Sequence, residues 1–387
     1  MTVYILSSAR TPIASFLSSY SNLSAPALGG HAIKEAVSRG NIPTDKIDEV
    51  IMGQVVQAGS GQAPARQATI ASGLPNSVPA TTINKVCGSG MKSLIMGAQS
   101  ILAGDNSVVV TGGMENMTMA PHLLPSGRGG IKFGAGQVLD SMQYDGLTDA
   151  YSKEAMGVCA EKCVEKYKIS REELDDYAEM SFRRAQNAQE KGIFDNEIAP
   201  VELKGRKGKV TVVNADEGPT KVNFEKMRSL RPAFTKDGSI TAANASSIND
   251  GAASIVIAGE EYASQAELKI VAYASHAQDP EWFTTAPIEA TKKCLAKADM
   301  DINQIDLFEI NEAFAVVALA SIKELELDKE KVNIYGSAIS LGHPIGVSGC
   351  RILMSLMTGL KNEDKKYGLA SICIGGGEAL SIIIERI

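Results

Sequence analysis

Four short stretches carry side chains whose types and spacing suit nucleophilic chemistry. The first is TTINKVCGSGMKSL, residues 81–94, where Cys87 stands between a valine and a run of glycine and serine. After it, Met91, Leu94, Ile95, Ala98, Ile101 and Leu102 recur at helical spacing, and Gly104 supplies a stop. Cys87 is therefore placed at a helix start, where free N–H groups and the positive dipole end favour a thiolate. Gly88 and Gly90 are read as keeping the surroundings small, so that a ligand reaches sulfur and backbone. Taken alone, the segment fits a buried cysteine at a tight turn equally well. The second is LGHPIGVSG, 341–349, with His343 as a candidate base for the Cys87 proton; the plainer reading is a turn histidine held by backbone bonds. The third is SICIGGGEAL, where Cys373 ends a strand and three glycines leave N–H groups open to an oxyanion. No Lys-Ser/Thr follows, so a phosphate loop is a weak reading. In the fourth, FEINEAFAVV, Asn311 closes a strand and residues 312–314 are expected to begin a helix; its amide either fixes a water or carbonyl or caps that helix.

The elements that must carry these residues repeat. At an offset of 258, Ala32, Lys34 and Ile47-Asp48 meet Ala290, Lys292 and Ile305-Asp306; at 259, Ser89-Gly90, Lys92 and Leu94 meet Ser348-Gly349, Arg351 and Leu353. GGME at 112–115 echoes GGGE at 375–378. Each half reads as amphipathic helix, acidic turn, strand, glycine-rich turn, helix, apolar strand, which implies a duplicated α/β fold with sheets covered on both faces. If the halves pack about a pseudo-twofold axis, their helix-start turns face one another. Between the halves the texture changes, to SGRGGIKFGAG, a charged helical stretch from Arg171 to Lys191, and the basic KGRKGK at 204–209. Three units follow: 1–117 with 248–269, an inserted loop domain 118–247, and 270–387.

Composition narrows the function. The chain has 387 residues, 44% hydrophobic and 21% charged, with a net charge of −7, which argues against a nucleic-acid binder. No apolar run reaches the ~18 residues of a membrane span, and the N-terminus has no signal-peptide pattern, so a cytoplasmic protein is expected. Six cysteines show neither disulfide nor zinc spacing, and no metal or redox cofactor motif is evident. Cys159 and Cys163, four apart, are read as buried small hydrophobes on one helix face. Lys204, Arg206, Lys207 and Lys209 are read as a solvated hairpin in preference to a phosphate site.

Together the motifs Cys87-Gly88-Ser89, residues 311–314 (Asn-Glu-Ala-Phe), Gly342-His343-Pro344 and Cys373-Ile374-Gly375 resemble, in order and spacing, those of the thiolase family. The resemblance covers essentially the whole chain, includes NKVCGSG, GGMENM, LRPAF and NDGAA, and is strongest to the short-chain, biosynthetic members. It implies a reversible Claisen condensation of two acetyl-CoA to acetoacetyl-CoA and CoA. Cys87 would take the acyl group as a thioester with His343 as base, and Cys373 would remove an α-proton. His343 and a water on Asn311 would hold the enolate oxygen, and the N–H groups of Cys87 and Gly375 a second oxyanion. Phe234, Ala242, Ser246 and Phe314 would line the coenzyme A channel, with Met156 bordering the acyl pocket. Coenzyme A enters as part of the substrates, with no separate cofactor, and a homodimer or more often a homotetramer is implied. The chain departs from the family pattern at Ala155, where short-chain members usually carry histidine, at Thr220-Lys221, where an arginine is common, and at Glu378, where an uncharged residue is usual. Two other functions stay open: a degradative 3-ketoacyl-CoA thiolase, and a non-catalytic acyl-CoA or lipid carrier on the same fold.

Overall fold

Strand β1, Val3–Arg10, lies in the middle of a ten-stranded mixed sheet and joins its two ends. The computed structural model describes residues 2–205 and 208–387. In the first half β1 is joined by β2 (Glu49–Gly53), β3 (Ala80–Ile83), β4 (Val108–Asn116) and β5 (Asn249–Ala258). The second half supplies β6 (Leu268–Ala277), β7 (Leu307–Ile310), β8 (Tyr367–Ile374) and β9 (Glu378–Arg386). The order across the sheet is β7-β8-β9-β6-β1-β5-β4-β2-β3, and the short strand Ala14–Ser15 also pairs with β5. Antiparallel pairing of Val3 with Ile270 and Ile5 with Leu268 makes the seam between halves. Strands β4 and β5 are buried at every position, as expected for strands covered on both faces. Strand β6 alternates buried and partly buried residues, the period-two pattern of a half-covered strand.

Helices occupy three levels. Helix α1 (Ala25–Arg39) and α2 (Pro64–Ala71) cover the outer face of the first half. Helix α3 (Ser89–Ala103) lies under β2 and β4 and packs against its counterpart from the second half, Ser348–Asn362. Gly104, at φ 84°, ends α3, a backbone state that favours glycine. The two helices meet reciprocally. A Cβ on Gly90 would lie 2.9 Å from the Cys350 amide nitrogen, and one on Gly349 would lie 2.7 Å from that of Met91. Residue i touching j while the equivalent of i touches the equivalent of j is the signature of a twofold axis. One apolar cluster spans both halves here, with Met91, Leu94 and Ile95 against Val347, Leu353 and Ile372.

The stretch between β4 and β5 adds α4 (Met156–Tyr167) and α5 (Arg171–Glu190), which pack on the outer face of the second half beside α6 (Ala286–Ala298) and α7 (Ala315–Glu324). The helix after these, α8, is Ser348–Asn362. Cys159 and Cys163 are fully buried on α4 as apolar packing residues. Ser170 caps α5 in a reciprocal box with Glu173. The basic stretch joins a two-stranded hairpin, Val201–Lys204 with Val210–Val213; Arg206 and Lys207 lie outside the described residues. No described helix is long and apolar enough to cross a membrane.

Candidate active site

Between β3 and α3 the chain makes a strained turn. Val86 sits at φ +47°, a left-handed state costly for a β-branched side chain. Four bonds hold it: Val86 N–H donates to Asn84 Oδ1 (2.9 Å), Ser89 Oγ donates to the Val86 carbonyl (2.7 Å), Lys85 N–H donates to Ser89 Oγ (2.9 Å), and Gly88 N–H donates to the Lys85 carbonyl (3.0 Å). The turn delivers Cys87 half-buried ahead of the helix, beside an apolar cluster of Val55, Val56, Met117, Met142 and Ile345. Its sulfur lies against the N–H of Gly375 and its own N–H.

Two sequence expectations are corrected here. Burial pushes the Cys87 thiol up to about 11, more than the N–H groups of Gly375 and Cys87 pull it down, and the Glu115 carboxyl adds to the rise. The resting group is a thiol, because desolvation outweighs the helix start. Gly88 and Gly90 do not open a path for ligand. A Cβ on Gly88 would lie 2.5 Å from Ile374 Cδ1, and one on Gly90 would meet Cys350, so both glycines admit the second half of the chain.

His343 follows the helical turn Ala338–Leu341. Gly342 before it has φ +108°, and a Cβ there would lie 2.5 Å from Asn249 Cγ. The Asn249 amide oxygen in turn accepts the His343 N–H at 2.9 Å. The ring Nδ1 is 2.5 Å from Ser348 Oγ, whose hydroxyl donates to the Pro344 carbonyl at 3.0 Å. With the hydroxyl proton assigned to the Pro344 carbonyl, Ser348 Oγ is the acceptor and the imidazole proton is assigned to Nδ1. Nε2 keeps its lone pair, buried and without a partner among the described residues. Burial, with the Arg351 guanidinium adding, lowers His343 to about 3, so the ring is neutral.

Glu115 ties the two turns. Its carboxylate accepts N–H groups from Val55 (3.0 Å), Val56 (3.2 Å) and, across the molecule, Gly346 (2.9 Å). Burial raises it to about 7 against those three donors. Gly113 and Gly346 approach so closely that a Cβ on Gly113 would lie 2.1 Å from the Gly346 carbonyl oxygen.

Cys373 closes β8, fully buried, its thiol held well above the ordinary range by burial and then by neighbouring Cys87. Gly376 (φ +90°) and Gly377 (φ +82°) turn the chain into β9. Met156 borders this turn, its Cε 3.5 Å from where a Gly375 Cβ would stand. Asn311 follows β7, its N–H on the Ser371 carbonyl at 3.0 Å. Its side-chain amide is buried, and neither polar atom has a partner among the described residues. The expected helix at 312–314 begins instead at Ala315, so Asn311 is not a helix cap. The intervening loop is suspended from Glu312, whose carboxylate accepts from Tyr177 (2.9 Å), Ser181 (2.7 Å), Asn333 (2.8 Å) and the Ile339 N–H (3.2 Å).

The residues expected to line a channel gather on the outer side of that loop. Phe234, about one-third exposed, stacks edge-on to Phe314 at 5.9 Å and lies against Gly157. Ser246 Oγ donates to the Ala313 carbonyl at 2.9 Å. Ala242 is exposed on a neighbouring turn. Lys221 pairs with Glu217 at 2.9 Å. Ser348, Glu115 and Asn249 were given no role from sequence. The serine stood in register with Ser89 in the repeat, and the other two lay within the stretches GGMENM and NDGAA, where nothing local marked their partners.

The arrangement offers two thiols from opposite halves, a neutral imidazole whose buried Nε2 has no partner among the described residues, an unsatisfied amide and two N–H donors at one sulfur. Residues 3–261 match the family model for the thiolase N-terminal domain, and residues 264–386 that for the thiolase C-terminal domain. An acetyl-CoA acetyltransferase 2 of Arabidopsis thaliana is 50% identical over 389 residues, covering 99% of this chain and 96% of that protein. An acetyl-CoA acetyltransferase of Saccharomyces cerevisiae is 48% identical over 396 residues, covering 100% and 99%. The crystal structure of an Ascaris suum thiolase in complex with coenzyme A superposes with a TM-score of 0.94 at 47% identity over 100% of both chains.

Proposed function

The chain belongs to the thiolase family, and from that premise we propose how its own residues carry out the acetyl-CoA acetyltransferase reaction. The enzyme condenses acetyl-CoA. Cys87 Sγ attacks the thioester carbonyl while its proton passes to His343 Nε2. With the thiol near 11 and the imidazole near 3, a resting ion pair is disfavoured, so transfer accompanies attack. The N–H groups of Cys87 and Gly375 hold the tetrahedral oxygen, and CoA leaves with the proton from His343. His343, neutral again, takes the Cys373 proton, and the Cys373 thiolate removes an α-proton from a second acetyl-CoA, whose enolate oxygen is held by the His343 imidazolium and by a water on Asn311. The enolate carbon attacks the Cys87 thioester. A carbon–carbon bond forms, the carbon–sulfur bond to Cys87 breaks, and acetoacetyl-CoA departs. The Cys87 thiolate takes up the proton held on His343, while Cys373 keeps the α-proton, so both thiols and the neutral imidazole are restored.

The observation that carries this reading is the pair of buried, partnerless polar groups, His343 Nε2 and the Asn311 amide. Buried polar groups are normally satisfied, so these await a ligand or water. Incubation with labelled acetyl-CoA, followed by peptide mass spectrometry, should place one acetyl group on Cys87. An unlabelled Cys87 in active enzyme overturns the assignment. Thiolysis should favour acetoacetyl-CoA over 3-ketohexadecanoyl-CoA; the reverse preference indicates the degradative function.

The inserted segment 118–247 is the proposed coenzyme A grip and oligomer contact, through Phe234, Ala242, Ser246 and Met156. Coenzyme A arrives with the substrates, and no further cofactor is proposed. Met119, Leu124, Ile131, Phe133 and Val138 are exposed apolar side chains in that segment, which supports assembly to a homodimer and on to a homotetramer. Light scattering after size exclusion decides between them, and a monomer overturns both. All six cysteines are free thiols, which supports a reducing, cytoplasmic compartment; cell fractionation tests it.

A further inference from the structure

The N–H of Gly375 and the sulfur of Cys87 belong to opposite halves, and something must hold their two turns in register. The Cys87 turn is braced from within by Asn84 and Ser89. The Gly375–Gly377 turn has no side chain to pack, and a Cβ on Gly376 would meet nothing within 4 Å. One side of this turn is fixed, because the Gly377 carbonyl accepts from Gln278 N–H at 2.9 Å. On the other side stands Glu378, the first residue of β9, whose carboxylate is ion-paired and hydrogen-bonded to the Lys85 ammonium. Lys85 lies two residues before Cys87, inside the strained turn. The two side chains are 28% and 34% exposed, so solvent screens them less than a fully open pair. Burial and then the Lys85 charge lower Lys92 on the first turn of α3, so a second ammonium stands close to Lys85. The glutamate also answers a question from the sequence, where the family pattern usually has an uncharged residue.

We infer that Lys85 and Glu378 are positioning residues, a clasp across the two halves that sets the Gly375 N–H against the Cys87 sulfur for the acylation step. The inference rests on the reading that Cys87 is the acylated residue and Gly375 a donor to its oxyanion. Neither side chain touches the reacting atoms.

The test measures the rate of Cys87 acetylation by quenched-flow mass spectrometry in the wild type, Glu378→Gln, Lys85→Met, the double variant, and the charge-swapped protein carrying Lys85→Glu and Glu378→Lys. Each single change should slow acetylation about fivefold, the upper end for a partly exposed pair, with the half-saturating acetyl-CoA concentration unchanged. The double variant should be no slower than either single one, and the swap should recover most of the rate. Raising salt to about 0.5 M should slow the wild type and leave Glu378→Gln unaffected. Thermal midpoints should stay within about 2 °C of the wild type; a purely structural role would move the midpoint and spare the rate. Wild-type rates in both single variants, or losses that multiply in the double variant, overturn the clasp alone. A wild type that never acquires acetyl at Cys87 overturns the catalytic reading and the clasp with it.

Discussion

The turn 84–89 and the turn 343–348 occupy the same place in the two halves, at a constant offset of 259, yet they do different work. In that register Asn84 meets His343, Cys87 meets Gly346 and Ser89 meets Ser348. Ser89 accepts from Lys85 N–H and donates to the Val86 carbonyl, which holds the strained residue under the nucleophile. Ser348 donates to Pro344 and accepts from His343 Nδ1, which sets a tautomer. The segments leading in differ more. Residues 80–83 are an edge strand paired with β2, whereas their counterparts around 338–341 form a helical turn. That turn is covered by α5, with Ser181 Oγ 2.9 Å from Ser340 Oγ and Glu312 on the Ile339 N–H. A duplicated frame thus supplied two turns facing each other across an axis, and an insertion into one half remodelled the approach to the other. A nucleophile and its base need no common local structure, only a shared axis to bring them together.

The comparison breaks most visibly if one cysteine can replace the other. Cys87→Ala should abolish acetylation, a rate loss of many thousand-fold or about 5 kcal/mol and more of barrier, while Cys373→Ala should still acetylate Cys87 and fail to condense. Equal behaviour of the two variants in labelling and condensation assays would erase the division of labour between halves. A stability effect follows at the joint between the turns. Glu115→Ala strands three buried N–H groups, at about 1–3 kcal/mol each, and should markedly lower the urea midpoint; Glu115→Gln keeps an acceptor and should fall much less.

The paired serines sharpen the contrast. Ser348→Ala should lower kcat about 10- to 100-fold with KM little changed, because Nδ1 loses the acceptor that fixes its proton. Ser89→Ala should act instead on the Val86 turn and cost about 1 kcal/mol of stability. Steady-state kinetics beside denaturant melts separate the two. A last expected effect is on pH-dependent stability. His343 falls from 6.5 to about 3 on folding, so the unfolded chain binds the proton more readily between those values. Its contribution is complete above about pH 6.5 and is lost as pH falls toward 3, at no more than about 1.4 kcal/mol per pH unit. His343→Asn should therefore flatten the acid side of the stability profile, measured by urea melts at stepped pH. Glu115, raised to about 7, works in the opposite sense: its contribution is present below about pH 4.5 and is lost as pH rises through 7.

The chemistry-bearing residues were legible because their types are rare and their neighbours are punctuating glycines and prolines. The helix after Cys87 was legible to its last residue, since Gly104 takes the left-handed state its position demands. Gly88 and Gly90 were misread because a glycine beside a cysteine looks the same whether it makes room for ligand or for Ile374 and Cys350. Asn311 was open to a capping role because nothing local shows that the loop hangs from Glu312, whose partners lie on α5 and beyond β7.

The sequence by itself determined the duplication, the elements of each half and the four motifs, all carried by residue type at short range or by register. Folding alone decided that the Cys87 thiol is held up despite its helix start, that His343 carries its proton on Nδ1, and that Glu378 reaches Lys85. The physical reason is that burial and cross-half contacts outweigh local dipoles and propensities, and both depend on groups hundreds of residues apart along the chain.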